Sequence, residues 1–228
     1  MARLYIIVLF AFVIISQAQD YKYFPKDRSE LVALVRNESV NLGDIDTSKI
    51  TDMSWLFAVM PEKSCTYIKE NIAQWIDLKN CIDSAGSRKD FKGIDLWDTS
   101  SVETMEGMFA WQENFNENIN AWNVWRVVNM SFMFSGTVIF NQPLDKWNVA
   151  NVRDIRSMFV ESNSFNQNLD SWQISDNVLM RWAFSQSLMW DNDVCDGKSL
   201  PKWYKDNELS IQNKIKQGLI NPCLSADK

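Results

Sequence analysis

Residues 140–159 read FNQPLDKWNVANVRDIRSMF, and the hydrophobic rhythm changes halfway along. Phe140, Leu144 and Trp147 are spaced for no single regular element. Val152, Ile155, Met158 and Phe159 lie at i, i+3, i+6 and i+7, the spacing of one face of a short helix. Shifting the sequence by 25 residues accounts for both halves. Trp97, Trp122, Trp147 and Trp172 fall in one column, and Phe109, Phe134, Phe159 and Phe184 in a second. Met105, Met130, Ile155 and Met180 form a third, Phe115, Phe140, Phe165 and Trp190 a fourth, and Ile119, Leu144, Leu169 and Val194 a fifth. A period of this length marks stacked units, because one unit cannot bury its own apolar face.

An earlier copy, DTSKITDMSWLF (46–57), matches DTSSVETMEGMF (98–109) 52 residues later. The first coil, 42–58, is therefore followed by an insertion, 59–90, before the tandem repeats of 91–194. The insertion carries Cys65 and Cys81 on either side of an amphipathic helical stripe of Tyr67, Ile68, Ile72, Trp75, Ile76 and Lys79. Each repeat is predicted to be a short strand, a turn, a short helix and a turn. The Asp, Asn, Ser and Thr residues of 98–101 and 148–151 would cap the helices. The expected fold class is α/β. Segments 19–41 and 195–228 lack the period and are expected to form helical caps that shield the ends of the array. In the first of them Leu31, Leu34 and Val35 share a helical face.

The opening residues, MARLYIIVLFAFVIISQAQD, place one arginine before an apolar run of about 12 residues, short of the ~20 that span a bilayer. Small residues follow, so 1–18 is expected to be a secretory signal peptide, leaving a mature chain without a membrane span. Four cysteines in a secreted chain suggest disulfides. Of three possible pairings, Cys65–Cys81 and Cys195–Cys223 are favoured because each pair sits within its own non-repetitive segment. Asn37 and Asn129 head glycosylation sequons.

The 228-residue chain has a net charge of −6 and no histidine. The charge argues against a nucleic-acid partner. The missing histidine removes the commonest general base and metal ligand. No glycine-rich phosphate loop or Cys/His metal cluster is present, and no cofactor is expected. The stretch DNDVCDG, with Asp191, Asp193 and Asp196, faintly resembles a calcium loop, but Lys202 stands where a bidentate Glu belongs, so no metal is predicted. A carboxylate-based glycan hydrolase is the least favoured reading.

The repeats WDTSSVETMEGMF, FNQPLDKWNVANVRDIRSMF and FNQNLDSWQIS resemble those of BspA-like surface proteins, a mycoplasma-type repeat of unknown function. The likeness covers roughly 29–57 and 91–194. It implies a leucine-rich-repeat-like solenoid at the cell surface or secreted, without catalysis, and binding other proteins. The first coil lacks the Trp before Asp46, and Asn177 and Ala183 depart from the pattern in the last coil.

Two further readings concern side chains. Asn116, Asn141 and Asn166 follow the Phe140 column and are expected to form a buried ladder bonded to neighbouring main chain. Trp111 and Trp125 stand where other repeats carry small or polar residues, so both are expected at the surface. Trp55, Phe132 and Trp182 share a column with Gly107 and Ser157 and are expected to be half exposed. These five aromatics are the candidate contacts to a protein or glycan ligand, since large rings bury area at small entropic cost; the competing reading packs them under the insertion, the N-terminal segment or the C-terminal cap. The expected function is non-enzymatic recognition outside the cell, the alternative an extracellular structural spacer.

Overall fold

The inward columns are real, but the backbone that carries them is neither helix nor strand. A computed structural model describes residues 20–189 and 200–207. Helix α1 spans Arg28–Val35, α2 Glu62–Asn71, α3 Leu78–Ile82 and α4 Lys202–Asn207, with single 3-10 turns at Leu42–Asp44 and Ile94–Leu96. Among the described residues there is no strand, only isolated parallel bridges. They run Asp52 to Thr104, Asn129, Asp154 and Leu179, one per level, with a further bridge from Tyr23 to Ile45. The expected α/β unit of strand and helix is therefore overturned. The chain is a stack of turn-built coils.

The hydrogen bonds give the physical reason. In 105–112, alternate amides leave the coil: Met105, Gly107, Phe109 and Trp111 donate to the carbonyls of Asn129, Ser131, Met133 and Ser135 in the next level. The amides between them stay at home, Met108 to Met105, Ala110 to Gly107 and Gln112 to Phe109. The same four-bond step recurs from 130–136 to 154–160 and from 155–161 to 179–185. An α-helix needs every amide for its own i−4 carbonyl. A chain that gives every second amide to a neighbour can close only i to i+3 turns. Those turns still point i, i+3 and i+4 inward, which is why the spacing read as helical. The polar residues expected as helix caps make local Asx turns instead. Ser100 donates its amide to Asp98 Oδ1 at 2.9 Å and Ala150 to Asn148 Oδ1 at 3.3 Å.

The expected strand half, FNQPLDKW, is tied to its neighbours largely through side chains. Asn116 Oδ1 accepts from the Asn141 amide at 3.0 Å, and Asn141 Oδ1 from the Asn166 amide at 2.9 Å. Asn120 Oδ1 accepts from the Lys146 amide at 3.0 Å. Pro143 has no amide to offer. A ladder routed through side chains gives no strand. The Asn116, Asn141 and Asn166 side chains are also exposed, which corrects the expectation of a buried ladder.

Aromatic spines fill the interior. Phe57, Phe109, Phe134, Phe159 and Phe184 stack with centroids 5.3–5.8 Å apart. Phe115, Phe140 and Phe165 run beside them, Phe134 lying 4.3 Å from Phe140 within one level. Each column tryptophan is buried and satisfies its indole N–H on the level before: Trp122 on Ile94 O, Trp147 on Ile119 O, Trp172 on Leu144 O, at 2.8–3.0 Å. The column does not stop at Trp172. Trp203 on α4 stacks on it at 6.1 Å and donates to Leu169 O. Trp190, Val194, the acidic stretch 191–196, Cys195, Cys223 and residues 1–18 lie outside the described residues.

At the other end α1 covers the first coil, with Asp27 as its N-cap and Leu31, Val32 and Val35 buried. Leu34 is only partly buried and Val32 takes the inward place. Buried Arg28 donates to Ser54 O at 2.6 Å and to Asn80 O and Asp83 O at 2.8 Å, joining α1 to the coil and the insertion.

Candidate functional site

The unusual aromatics occupy a special backbone position. Trp55, Gly107, Phe132, Ser157 and Trp182 all have φ between 54° and 61°. Trp111, Gly136, Glu161 and Gln186 form a second left-handed column, with φ between 55° and 69°. Left-handed backbone costs an L-residue about 1–2 kcal/mol, so each large ring there needs compensation. The first column supplies it by alternating large and small, level by level. A Cβ on Gly107 would meet the Trp55 ring at 2.4 Å, and one on Gly136 would meet Trp111 at 2.7 Å. Each tryptophan thus lies over the bare backbone of the next coil. Across Gly107 the Trp55 and Phe132 rings approach to 5.9 Å.

The insertion packs on these rings. Cys65 and Cys81 are disulfide-bonded with Cα atoms 5.9 Å apart, and both are buried with Trp55, Ala58, Ile68, Ala73, Ile76, Ala110 and Phe132 in a second core. Instead of one amphipathic helix the segment forms α2 and α3, parted at 72–77, where Asp77 caps α3 through the Asn80 amide. The predicted stripe is split accordingly. Ile68 and Ile76 are buried, whereas Tyr67, Ile72, Trp75 and Lys79 are exposed.

For two of the five candidate contacts the expected half exposure is therefore corrected, and the competing reading, packing under the insertion, holds. Trp55 is fully buried and Phe132 is 4% exposed, because the disulfide-tied segment lies over them. The insertion's seat on this column is a long-range packing fact that no repeat alignment contains. Trp111 is partly buried and Trp182 is 41% exposed. Trp125 is 49% exposed on a different column, where its carbonyl accepts from Asn151 Nδ2 at 2.7 Å. Of the sequon residues, Asn37 is exposed. Asn129 is partly buried in the bridge column, with its Oδ1 held by the Ser131 amide and hydroxyl.

The edges of the insertion leave two clefts. The larger, about 540 Å³ and mainly apolar, is lined by Met60, Tyr67, Ile68, Ile72 and Trp111 among others. The smaller, about 270 Å³, lies between Ile72 and Trp75 of the insertion and Phe132, Arg156, Arg181 and Trp182 of the coils. Arg156 stacks its guanidinium 3.3 Å from the centre of the Trp75 ring, and Arg181 stands 4.1 Å from that of Trp182. Arg156 also grips Asp154 in a fork, Nε on both carboxylate oxygens and Nη2 on Oδ2. Trp75, itself 42% exposed, entered the sequence reading only as part of the insertion's stripe, and neither it nor the two arginines stood among the candidate contacts. A signal existed for the arginines: their column reads Ser54, Glu106, Ser131, Arg156, Arg181 and turns basic in its last two levels.

Beneath the insertion Glu106 is buried, and its carboxyl is pushed up to about 6. Burial is the main cause. Hydrogen bonding from Ser131 Oγ, 3.2 Å from Oε1, opposes it, as do weaker contributions from Trp55 and Asn129, while Asp154 adds repulsion. Trp55 Nε1 makes no hydrogen bond of good geometry, so the Ser131 bond is the dependable one. No group of three or more potential metal-binding side chains occurs among the described residues. None of the described helices is long and apolar enough to cross a membrane.

The fold and its clefts define a stacked-repeat protein with a disulfide-tied insertion along one face. The chain belongs to the family described as Mycoplasma protein of unknown function, DUF285, which matches residues 76–196, more than half of its length. No curated protein and no solved structure matches it.

Proposed function

We propose that the protein is a non-enzymatic recognition module, working outside the cell or at its surface, which binds a protein or glycan at the clefts beside the insertion. The observation that carries this reading is the division of the tryptophans. The column tryptophans are stacked and satisfied inside the coils, while Trp75, Trp111 and Trp182 gather at the borders of one inserted segment. Aromatic side chains held at a rigid cleft are the usual anchors of recognition surfaces. The likeness of the repeats to BspA-like surface proteins supports the same reading. So do the apolar leader and the Cys65–Cys81 disulfide, since disulfides persist in oxidising compartments.

The test is retention of ligands from a glycan array and from a pull-down of extracellular proteins. Trp182→Ala and Trp111→Ala should each lower retention at least ten-fold with little loss of folding, while Trp125→Ala, on another column, should not. Equal retention by all three variants would remove the clefts from the account. Self-assembly with no retained ligand would favour the spacer role, for which the uninterrupted spines are suited.

A further inference from the structure

We propose that the smaller cleft binds a terminal acidic sugar, a pyranose ring bearing a carboxylate, with Arg181 as its main ionic contact. This rests on the recognition reading above and names the ligand class for one of its clefts. The chain is acidic overall, yet this cleft is lined by two arginines and no carboxylate. Arg156 is already committed to Asp154 through Nε and Nη2. Arg181 has no ion pair among the described residues, and its guanidinium stacks on the Trp182 ring, 4.1 Å from the ring centre. A planar guanidinium fixed in this way is preorganised for a bidentate carboxylate.

The remainder of the cleft suits a sugar ring better than a peptide. Its volume of about 270 Å³ falls just below the ~300–1,000 Å³ range of small-molecule sites, so it admits one ring and not an extended chain. The exposed parts of Trp75 and Trp182 offer apolar surface for the C–H face of a pyranose. Asn71, whose Nδ2 is used by Tyr67 O, keeps its Oδ1 to accept from a sugar hydroxyl, and Ser157 lines the same space. The cleft also has a structural origin. In the column Trp55, Gly107, Phe132, Ser157, Trp182, the insertion covers the first three levels. The small residue at the fourth leaves a gap, and the tryptophan at the fifth closes it.

The experiment titrates the full chain with glucuronic acid and N-acetylneuraminic acid, and in parallel with glucose and the methyl ester of glucuronic acid, by calorimetry and tryptophan fluorescence. At least one acid should bind, with the neutral sugars ten-fold or more weaker and the affinity falling as salt rises. Arg181→Ala should lose ten-fold or more, and Arg181→Lys should recover part of it; a thermal melt of each variant checks folding. Equal affinity for acidic and neutral sugars, an unchanged Arg181→Ala, or binding of a phosphotyrosine peptide in place of both acids would overturn the inference. A glycan array separates the two levels of the claim. Trp182-dependent retention of neutral glycans alone leaves recognition standing and sinks the acidic ligand, whereas no retention on the array or in the pull-down sinks both.

Discussion

From Met105 to Leu179 each level hands the next the same set of backbone bonds and adds two phenylalanines and one tryptophan to the same spines. From Val59 to Asp90 nothing repeats. That segment is held by a disulfide, by Arg28 on the carbonyls of Asn80 and Asp83, and by Asn80 Nδ2 on Ser54 Oγ and Asp52. Arg88, also buried, closes its end by donating to the carbonyls of Val35, Asn37, Val40 and Asp90. The coils gain stability by repetition, and the insertion by a few specific ties. Damage should therefore spread in one region and stay local in the other.

The sharpest way to break this contrast is Phe134→Ala. Phe134 is fully buried and touches Phe109, Phe140, Trp147 and Phe159, so its loss opens a cavity shared by three levels. The expected destabilisation is about 3–5 kcal/mol, read by chemical denaturation. Hydrogen exchange should quicken across 91–187 together. Exchange confined to a single level would show that the levels unfold independently.

Replacing Cys65 and Cys81 with alanine tests the other side. The cysteines are 16 residues apart, and closing a loop of that length contributes about 3 kcal/mol. That loss should fall on α2 and α3. Their amides should exchange faster and Trp55 and Phe132 gain exposure, while the amides between Met130 and Leu179 keep their protection. Uniform loss of protection would mean that insertion and coils fold as one unit.

Glu106 sits where the two regions meet, and its titration reports on that contact. The folded carboxyl is raised to about 6 from an ordinary 4.5, so between those values the folded chain holds more protons than the unfolded one. Stability should fall as pH rises through this window, by about 2 kcal/mol in total. Glu106→Gln should abolish the slope and be the more stable protein at pH 7. A stability that rises across the window in the wild type would show that Glu106 is not desolvated by the insertion.

What the sequence disclosed follows from the same contrast. Register is written 25 residues apart, so the Trp147 and Phe159 columns could be read without knowing the backbone. The local conformation could not, because Val152, Ile155, Met158 and Phe159 point inward equally well from a helix or from consecutive i to i+3 turns. What separates the two is where alternate amides bond, and that is decided by the next coil. The burial of Trp55 and Phe132 depends on the seat of a unique insertion, so their column offered packing beneath it as one reading but could not choose it over exposure. Arg156 and Arg181 were legible as a change of charge in their column but lacked meaning until Trp75 was placed beside them.

The smallest expected effect concerns the Asn column. Asn141 Oδ1 accepts from the Asn166 amide and from Gln167 Nε2, both at 2.9 Å, and its own amide donates to Asn116 Oδ1. A buried link of this kind would leave orphaned partners on removal. Here the side chain is exposed, and water can replace the lost acceptor. Asn141→Ala should then cost about 0.5–1.5 kcal/mol, the net worth of an ordinary hydrogen bond, and the Asn166 amide should exchange faster while Phe159 and Phe165 stay packed. A loss of 3 kcal/mol or more would mean that the side-chain ladder, and not the aromatic spine beside it, sets the spacing of the coils.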